Sequence, residues 1–219
     1  KGTITSDVTL KAGTTYKLSG EYIVEAGATL NIEAGVKIIS VYDDIVDYIL
    51  IKQGAKINAM GTANAPIVMT SEKEEPGAWG GIHICGKAHT NAEGGKGSSE
   101  IGGAVYGGND DADNSGKLQY VRVEYTGYAF DEEHEANGIT FYGVGNGTIV
   151  DHCQAYKGSD DGFEFFGGSV NISNMVVVSC SDDSFDWTEG WNGKGTDLVA
   201  YQEPKATLGS VSYTHLTLP

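Results

Sequence analysis

DDGFEF at Asp160–Phe165 is followed 22 positions later by DDSFDW at Asp182–Trp187. The two segments share the order acid, acid, small residue, aromatic, acid, aromatic. A pair containing glycine follows each segment in the same register, Gly167-Gly168 after the first and Glu189-Gly190 after the second. A repeat of 20 to 50 residues indicates a solenoid, in which successive turns of one chain stack on each other. Because the repeat alternates as a strand does, its turns are predicted to be built from strands.

Short strands punctuated by glycine also fill the N-terminal half. Tyr22–Ile39 and Ile49–Gly61 share this pattern, and within them Gly27–Asn31 matches Gly54–Asn58 at an offset of 27. About 22 residues per turn is enough for three short strands and three corners, and stacked turns place strands about 4.8 Å apart. Each turn then buries a face that it cannot bury alone. The sequence therefore predicts an all-β fold, a single-stranded right-handed parallel β-helix with roughly 22 residues per rung.

The main alternative architecture is a β-sandwich, because Asn-Gly pairs at Asn137, Asn146 and Asn192 are typical of two-residue hairpin turns. Within the β-helix interpretation, residues 1–209 form one domain. A segment near 86–117, rich in Gly, Asn, Ser and Asp, is expected to form a long loop that interrupts the rungs. Residues 210–219 lack the glycine corners and acidic character of the rest and resemble translated sequencing adapter. We expect them to be a non-native tail.

Composition excludes several classes of function. The formal net charge of −16 argues against nucleic acid as a partner, because nucleic-acid-binding surfaces are basic. No window reaches the roughly 18 apolar residues of a membrane-spanning helix. Cys85, Cys153 and Cys180 have no metal-binding spacing and are expected to be small buried residues. The sequence does not decide whether Cys153 and Cys180 form a disulfide.

Five motifs occur in order along the chain: Trp79–Ala88, Tyr106–Gly116, Tyr120–Tyr125, Asp160–Gly168 and Asp182–Trp187. In this order the chain resembles a family of secreted or lipid-anchored β-helix surface proteins of Bacteroidetes and other Gram-negative bacteria. The resemblance covers about residues 10 to 203. It implies a β-helix and a location outside the cell or at its surface, but it implies no activity.

One rung per 22 residues would stack three acidic pairs, namely Asp160 on Asp182, Asp161 on Asp183 and Glu164 on Asp186. Ionised carboxylates about 5 Å apart repel by roughly 3 kcal/mol per pair at an effective dielectric near 20. A bound cation, a raised pKa or exposure to solvent would relieve this repulsion. Three interpretations follow. The acids cap tight corners, or they bind Ca²⁺, or Asp160, Asp161, Asp182 and Asp183 are catalytic groups of a glycan-active enzyme.

A second candidate calcium site lies in the 86–117 segment. From Asp111, the pattern Asp-x-Asp-x-Ser-Gly matches the first six positions of a calcium loop, with Asp111 and Asp113 as ligands. Position 12 would be Arg122, where an EF-hand needs Glu, so the segment is not an EF-hand. A looser calcium loop is predicted, with a solvated polar turn as the alternative.

Four aromatic residues are candidates for glycan binding, because a ring face offers apolar contact beside polar groups: Tyr120, Tyr142, Phe166 and Trp191. An enzyme is the weaker interpretation. Arg122 is the only arginine that could serve a polysaccharide lyase as its base, and Glu124 beside it is the expected partner.

These patterns together predict a non-enzymatic, secreted or cell-surface β-helix that binds Ca²⁺ and associates with a polysaccharide or another envelope component. The first alternative is a polysaccharide lyase or glycoside hydrolase that uses the stacked Asp pairs. The second is a structural spacer that binds no ligand.

Overall fold

The computed structural model describes residues 2–43, 45–130 and 134–204. Residues 205–219 lie outside this part, so the expectation of a non-native tail at 210–219 stays a prediction. The described residues contain one short 3₁₀ helix, Glu93–Gly95, and 21 strands. In chain order the strands are β1 (Gly2–Ile4), β2 (Val8–Leu10), β3 (Thr15–Leu18), β4 (Glu21–Val24), β5 (Thr29–Ile32), β6 (Lys37–Ser40), β7 (Tyr48–Ile51), β8 (Lys56–Met60), β9 (Ile67–Ser71), β10 (Ile82–Cys85), β11 (Gly97–Ser98), β12 (Val105–Tyr106), β13 (Gly116–Gln119), β14 (Val121–Glu124), β15 (Ile139–Tyr142), β16 (Ile149–Asp151), β17 (Gln154–Tyr156), β18 (Phe163–Phe166), β19 (Asn171–Val178), β20 (Phe185–Thr188) and β21 (Gly195–Tyr201). No helix of the described ranges is long and apolar enough to cross a membrane.

The strands form three faces that run along the molecule. Face A contains β1, β4, β7, β10, β15, β18 and β20. Face B contains β2, β5, β8, β13, β16 and the first half of β19, and face C contains β3, β6, β9, β14, β17 and the second half of β19. β21 pairs with β19 along both halves. Every pairing of strands within these faces is parallel, so the fold is the predicted parallel β-helix and the β-sandwich is wrong. Its handedness stays a prediction.

The register confirms the repeat that decides the fold. Phe163 pairs with Phe185 and Glu164 with Asp186, an offset of 22. Leu30 pairs with Ile57, which is the offset of 27 seen in the N-terminal half. The offset grows to 57 where Ile82 pairs with Ile139, because an insertion separates these strands. A rung of 22 residues is therefore the short form of a turn whose corners vary in length.

Alternate residues of face A fill the interior with stacked rings. Phe141 and Phe165 point inward from successive rungs, with ring centroids 5.1 Å apart and planes within 6° of parallel. Phe163 stacks on Phe185 in the same way at 5.7 Å. In-register pairing places each inward side chain against its counterpart one rung away, so a repeated aromatic in the sequence becomes a continuous stack in the core.

A single residue makes the corner between faces B and C in successive rungs. Tyr120, His152, Asn174 and Asp197 all have a left-handed φ between 50° and 55°. Tyr120 therefore divides residues 118–124 into β13 and β14. The sequence does not reveal this corner, since the left-handed region is usually occupied by glycine.

An insertion between β10 and β13 covers part of the outer side of face A. It contains the 3₁₀ helix and the antiparallel pair β11–β12, and it ends where β13 begins at Gly116. Ile101 and Tyr106 from the insertion form a second hydrophobic cluster with outward residues of face A, among them Leu50, Cys85 and Tyr142. No disulfide joins the cysteines of the described residues, and all three are buried.

Candidate functional site

Outward side chains of face A stack in a column that changes from apolar to acidic along the molecule. In register, Leu50 pairs with His83, His83 with Thr140, Thr140 with Glu164, and Glu164 with Asp186. The insertion packs on Leu50 at the start of this column, and His83 is fully buried against the rings of Tyr48 and Tyr142. Strand alternation points the side chain of His83 away from the interior of the β-helix, and packing outside face A buries it. Past the insertion the column becomes acidic.

Five carboxylates converge at the acidic end of this column, and we call them the acidic site: Asp160, Asp161, Glu164, Asp182 and Asp186. They form two groups of three, in each of which the ligand oxygens lie within 4.8 Å of one another. The first group is Asp160, Asp161 and Asp182, and the second is Asp161, Glu164 and Asp186. The corner before β18 supplies Asp160 and Asp161, and the corner before β20 supplies Asp182. The structure therefore brings together five of the six acids of the predicted ladder, with Asp161 common to both groups.

Burial changes the protonation of this site. Burial, and after it the neighbouring carboxylates, raise the pKa of Asp160 to about 7, of Asp161 to about 9 and of Glu164 to about 10. The charged neighbours that shift these pKa values most are all acidic. In the absence of a cation, Asp161 and Glu164 are therefore protonated at neutral pH.

Asp161 also has the capping role considered from the sequence. Its Oδ1 accepts a hydrogen bond from the backbone N–H of Asp183 at 2.9 Å, which joins two successive corners. A carboxylate has two oxygens and about four acceptor positions, so this cap leaves capacity for another ligand. Capping and cation binding are compatible at Asp161.

Asn137 provides an independent feature at the same place. It is only 2% exposed. Its amide nitrogen donates to Glu164 and to the Thr140 hydroxyl, the latter at 3.3 Å. Its carbonyl oxygen Oδ1 has no hydrogen-bond partner within the described ranges. A buried oxygen without a partner costs roughly 1–3 kcal/mol, so a ligand that reaches Oδ1 would be stabilised there. Sequence reasoning treated Asn137 only as a turn residue.

The insertion contributes an acid that sequence reasoning missed. Glu100 accepts a hydrogen bond from the Tyr142 hydroxyl at 3.4 Å, and burial raises the pKa of Glu100. Its charge is the largest electrostatic influence on Glu164 after burial itself. Glu189, from the corner after β20, accepts from the Tyr106 hydroxyl at 2.9 Å and from Thr90. No repeat links Glu100 to the ladder, so no sequence signal could have found it.

Asp111 and Asp113 lie apart from the acidic site. Asp111 Oδ1 accepts from the backbone N–H of His89 at 3.0 Å and lies 2.8 Å from its imidazole Nδ1. Asp113 Oδ2 accepts from the backbone N–H of Lys87 at 3.0 Å. Both carboxylates therefore anchor the start of the insertion. A calcium loop at Asp111 and Asp113 stays a prediction.

The four aromatic candidates do not form one strip. Tyr142 is fully buried, so the expectation that it is accessible is wrong. Phe166 stacks on Tyr142 at 4.8 Å, and Tyr120 stacks on His152 at 4.4 Å at the corner between faces B and C. Trp191 packs on Phe165 in the core at 4.8 Å. A glycan-binding role for Tyr120, Tyr142, Phe166 and Trp191 stays a prediction.

Arg122, the candidate lyase base, lies on β14 of face C. Its guanidinium stacks 4.4 Å from the ring centroid of Tyr156 and pairs with Glu124. The acidic site lies on face A and at the corner that leads into it. Arg122 is therefore held by its own rung and by β17, as an ion pair and a cation–π contact.

Comparison with protein families gives one match. Residues 2–213 match the family model described as a pectate-lyase like beta helix domain. Neither the curated proteins nor the solved structures give a significant match.

Proposed function

Since the chain belongs to the family of pectate-lyase like beta helix domains, we propose that it is a glycan- or envelope-associated protein that binds Ca²⁺ at the acidic site. This proposal rests on the two clusters of three carboxylates that share Asp161. In each cluster the ligand oxygens lie within 4.8 Å of one another. Asn137, with its unpartnered buried oxygen, supports the proposal independently.

Ca²⁺ is the cation that suits these ligands best. It takes six to eight oxygen ligands, commonly carboxylates and amide carbonyls, in a flexible geometry. The acidic site offers five carboxylates, and the Asn137 carbonyl adds a neutral oxygen. A divalent charge would also remove the reason for protonation of Asp161 and Glu164, because it stabilises their ionised forms.

The cation also suits a role in adhesion. A chain with a net charge of −16 repels anionic glycans unless a cation bridges the two. We place the protein outside the cell or at the surface of a Gram-negative bacterium, where millimolar Ca²⁺ and polysaccharide are both present. Secretion and lipid anchoring in Bacteroidetes belong to the same proposal, and they rest on the motifs at Trp79–Ala88 and Asp160–Gly168.

The test is thermal unfolding of the whole chain in millimolar Ca²⁺ and in EDTA. A site at 100-fold excess of Ca²⁺ over its Kd adds about 2.7 kcal/mol to the free energy of unfolding. We expect a rise in Tm that Asp161→Asn removes. Asp7→Asn is the matched control, because exposed Asp7 also caps a backbone N–H one rung away, that of Thr29 at 2.8 Å. Equal shifts in wild type and Asp161→Asn would refute the site, and loss of the shift in Asp111→Asn would move it to the insertion.

A glycoside hydrolase is the second candidate, favoured by the raised pKa values. A carboxyl group that is protonated at neutral pH can serve as a general acid beside a second carboxyl group. Asp161 lies next to Asp182, and Glu164 lies next to Asp186. The test is release of reducing sugar from a glycan. If the wild type releases it and a folded Asp161→Asn variant does not, the function is hydrolysis and not binding. A lyase is disfavoured, because the charges that most affect the site are acidic and Arg122 lies on face C.

A further inference from the structure

The corner that leads from face C to face A forms a continuous edge along the molecule. Asp160 and Asp182 of the acidic site lie on this edge. Corner segments of three earlier rungs lie along the same edge, and a cleft of about 350 Å³ lies among their described residues. The cleft is lined by residues of the corners before β7, β10 and β15, including Tyr42, Lys73, Pro76 and Tyr128.

Three exposed apolar side chains lie at or beside this cleft. Tyr42 is 59% exposed and Ile45 is 48% exposed, and both line it. Phe130, 38% exposed, packs edge-on against Tyr128 with ring centroids 5.1 Å apart. Exposed apolar side chains are ordinary when they are scattered, but a group of them around a concave surface marks a binding site.

Polar groups lie beside these rings. The Lys73 ammonium lies 4.5 Å from the ring centroid of Tyr42 and donates to the Tyr42 hydroxyl at 3.2 Å. Asp43 also lines the cleft and accepts from the Ser19 hydroxyl at 3.2 Å. Lys73 covers one face of the Tyr42 ring, and the opposite face, with hydroxyl and carboxylate groups nearby, suits a ligand that has one apolar face and many hydroxyls. A sugar ring has this chemistry.

The charge around the cleft selects an uncharged sugar. Lys73 is already paired with Glu75 at 3.1 Å, and Glu72 is paired with Lys17. Asp43 and Glu74 add negative charge to the same edge. An anionic sugar would meet this charge without a cation to bridge it. We propose that the cleft binds an uncharged sugar ring of a glycan that lies along this edge.

The length of the edge favours an oligosaccharide. From Tyr42 to Asp182 the edge passes through four rung spacings, because the corners before β7, β10, β15, β18 and β20 follow one another. At about 4.8 Å per rung this is roughly 19 Å. Ring binding in the cleft is independent of Ca²⁺. The continuation of the glycan to the acidic site rests on the proposed function.

The experiment is isothermal titration with hexasaccharides. The probes are a neutral β-1,4-glucan, a neutral β-1,3-glucan, a neutral mannan and an acidic hexagalacturonate, each in EDTA and in Ca²⁺. We expect a neutral hexasaccharide to bind in EDTA, and Tyr42→Ala and Phe130→Ala each to weaken binding at least 10-fold. Tyr201→Ala, an equally exposed tyrosine on β21, is the control and should leave affinity unchanged.

The proposal is overturned if no neutral hexasaccharide binds in EDTA, if only the acidic probe binds, or if Tyr42→Ala and Phe130→Ala bind as the wild type does. The melt in Ca²⁺ separates this failure from failure of the cation site. A Tm rise in Ca²⁺ without neutral-sugar binding overturns the cleft alone. Sugar binding in EDTA without a Tm rise supports the cleft and refutes the cation site.

Discussion

Replacing Asp161 by asparagine should make the cation-free protein more stable at neutral pH. Burial raises the pKa of Asp161 to about 9, whereas in the unfolded chain it is 3.8. Between about pH 4 and pH 9 the folded state therefore keeps a proton that the unfolded state loses. The free energy of unfolding falls as pH rises through this window. Asparagine cannot ionise, and its carbonyl oxygen can still accept the Asp183 N–H.

A pH of 7 lies about 3 units above the pKa of Asp161 in the unfolded chain, and each unit corresponds to about 1.36 kcal/mol. The free energy of unfolding of Asp161→Asn should therefore exceed that of the wild type by about 4 kcal/mol at most. For a chain of this size, 1 kcal/mol shifts Tm by about 2 to 4 °C, which gives roughly 8 to 16 °C as the upper limit. The exposed Asp7 is the control, because Asp7→Asn preserves an equivalent cap without relieving burial.

The assay is thermal unfolding followed by circular dichroism, in EDTA, at each pH from 4 to 8. The Tm gap between Asp161→Asn and wild type should be small at pH 4 and widen steadily with pH. In Ca²⁺ the gap should shrink or reverse, because only the wild type gains the ion. An Asp161→Asn variant that is no more stable than wild type at pH 7, or a gap independent of pH, would show that Asp161 is ionised in the folded protein.

Three further outcomes are expected. Calcium binding at pH 7 should release more than one proton, since Asp161 and Glu164 hold protons without the ion; titrations in buffers of different ionisation enthalpy measure this, and an absence of buffer dependence would contradict it. Phe165→Ala should cost about 3 to 5 kcal/mol in urea unfolding, because Phe165 is fully enclosed between Phe141 and Trp191; a loss below about 1 kcal/mol would contradict the stack. Burial lowers the pKa of His83 to about 4 from 6.5 in the unfolded chain. As pH falls from 6.5 to 4, the free energy of unfolding of the wild type should therefore fall by up to about 3 kcal/mol relative to that of His83→Leu. Urea unfolding at each pH measures this, and an equal loss of stability in the two proteins at acid pH would argue against a buried neutral imidazole.

The repeat in the sequence was sufficient to determine the β-helix and the register of its last rungs. The pairing of Phe163 with Phe185 and of Glu164 with Asp186 follows directly from matching residues 22 positions apart. In a solenoid each rung contacts its neighbours, so a periodic sequence specifies which residues stack. The same periodicity predicted that Glu164 stacks on Asp186, because in this fold residues one sequence period apart lie on adjacent rungs.

Only the tertiary structure decided which outward positions meet solvent and how the acidic site is completed. Tyr142 and Leu50 alternate outward on their strands, yet both are buried in one cluster with Ile101 and Tyr106 of the insertion. The same insertion brings Glu100 to Glu164. The insertion has no register with the rungs, so its contacts follow from how it folds back on face A. The sequence by itself determined the periodic part of this protein, because local pattern and stacking coincide there. The burial, the raised pKa values and the unpartnered oxygen of Asn137 arise from contacts between segments that share no period.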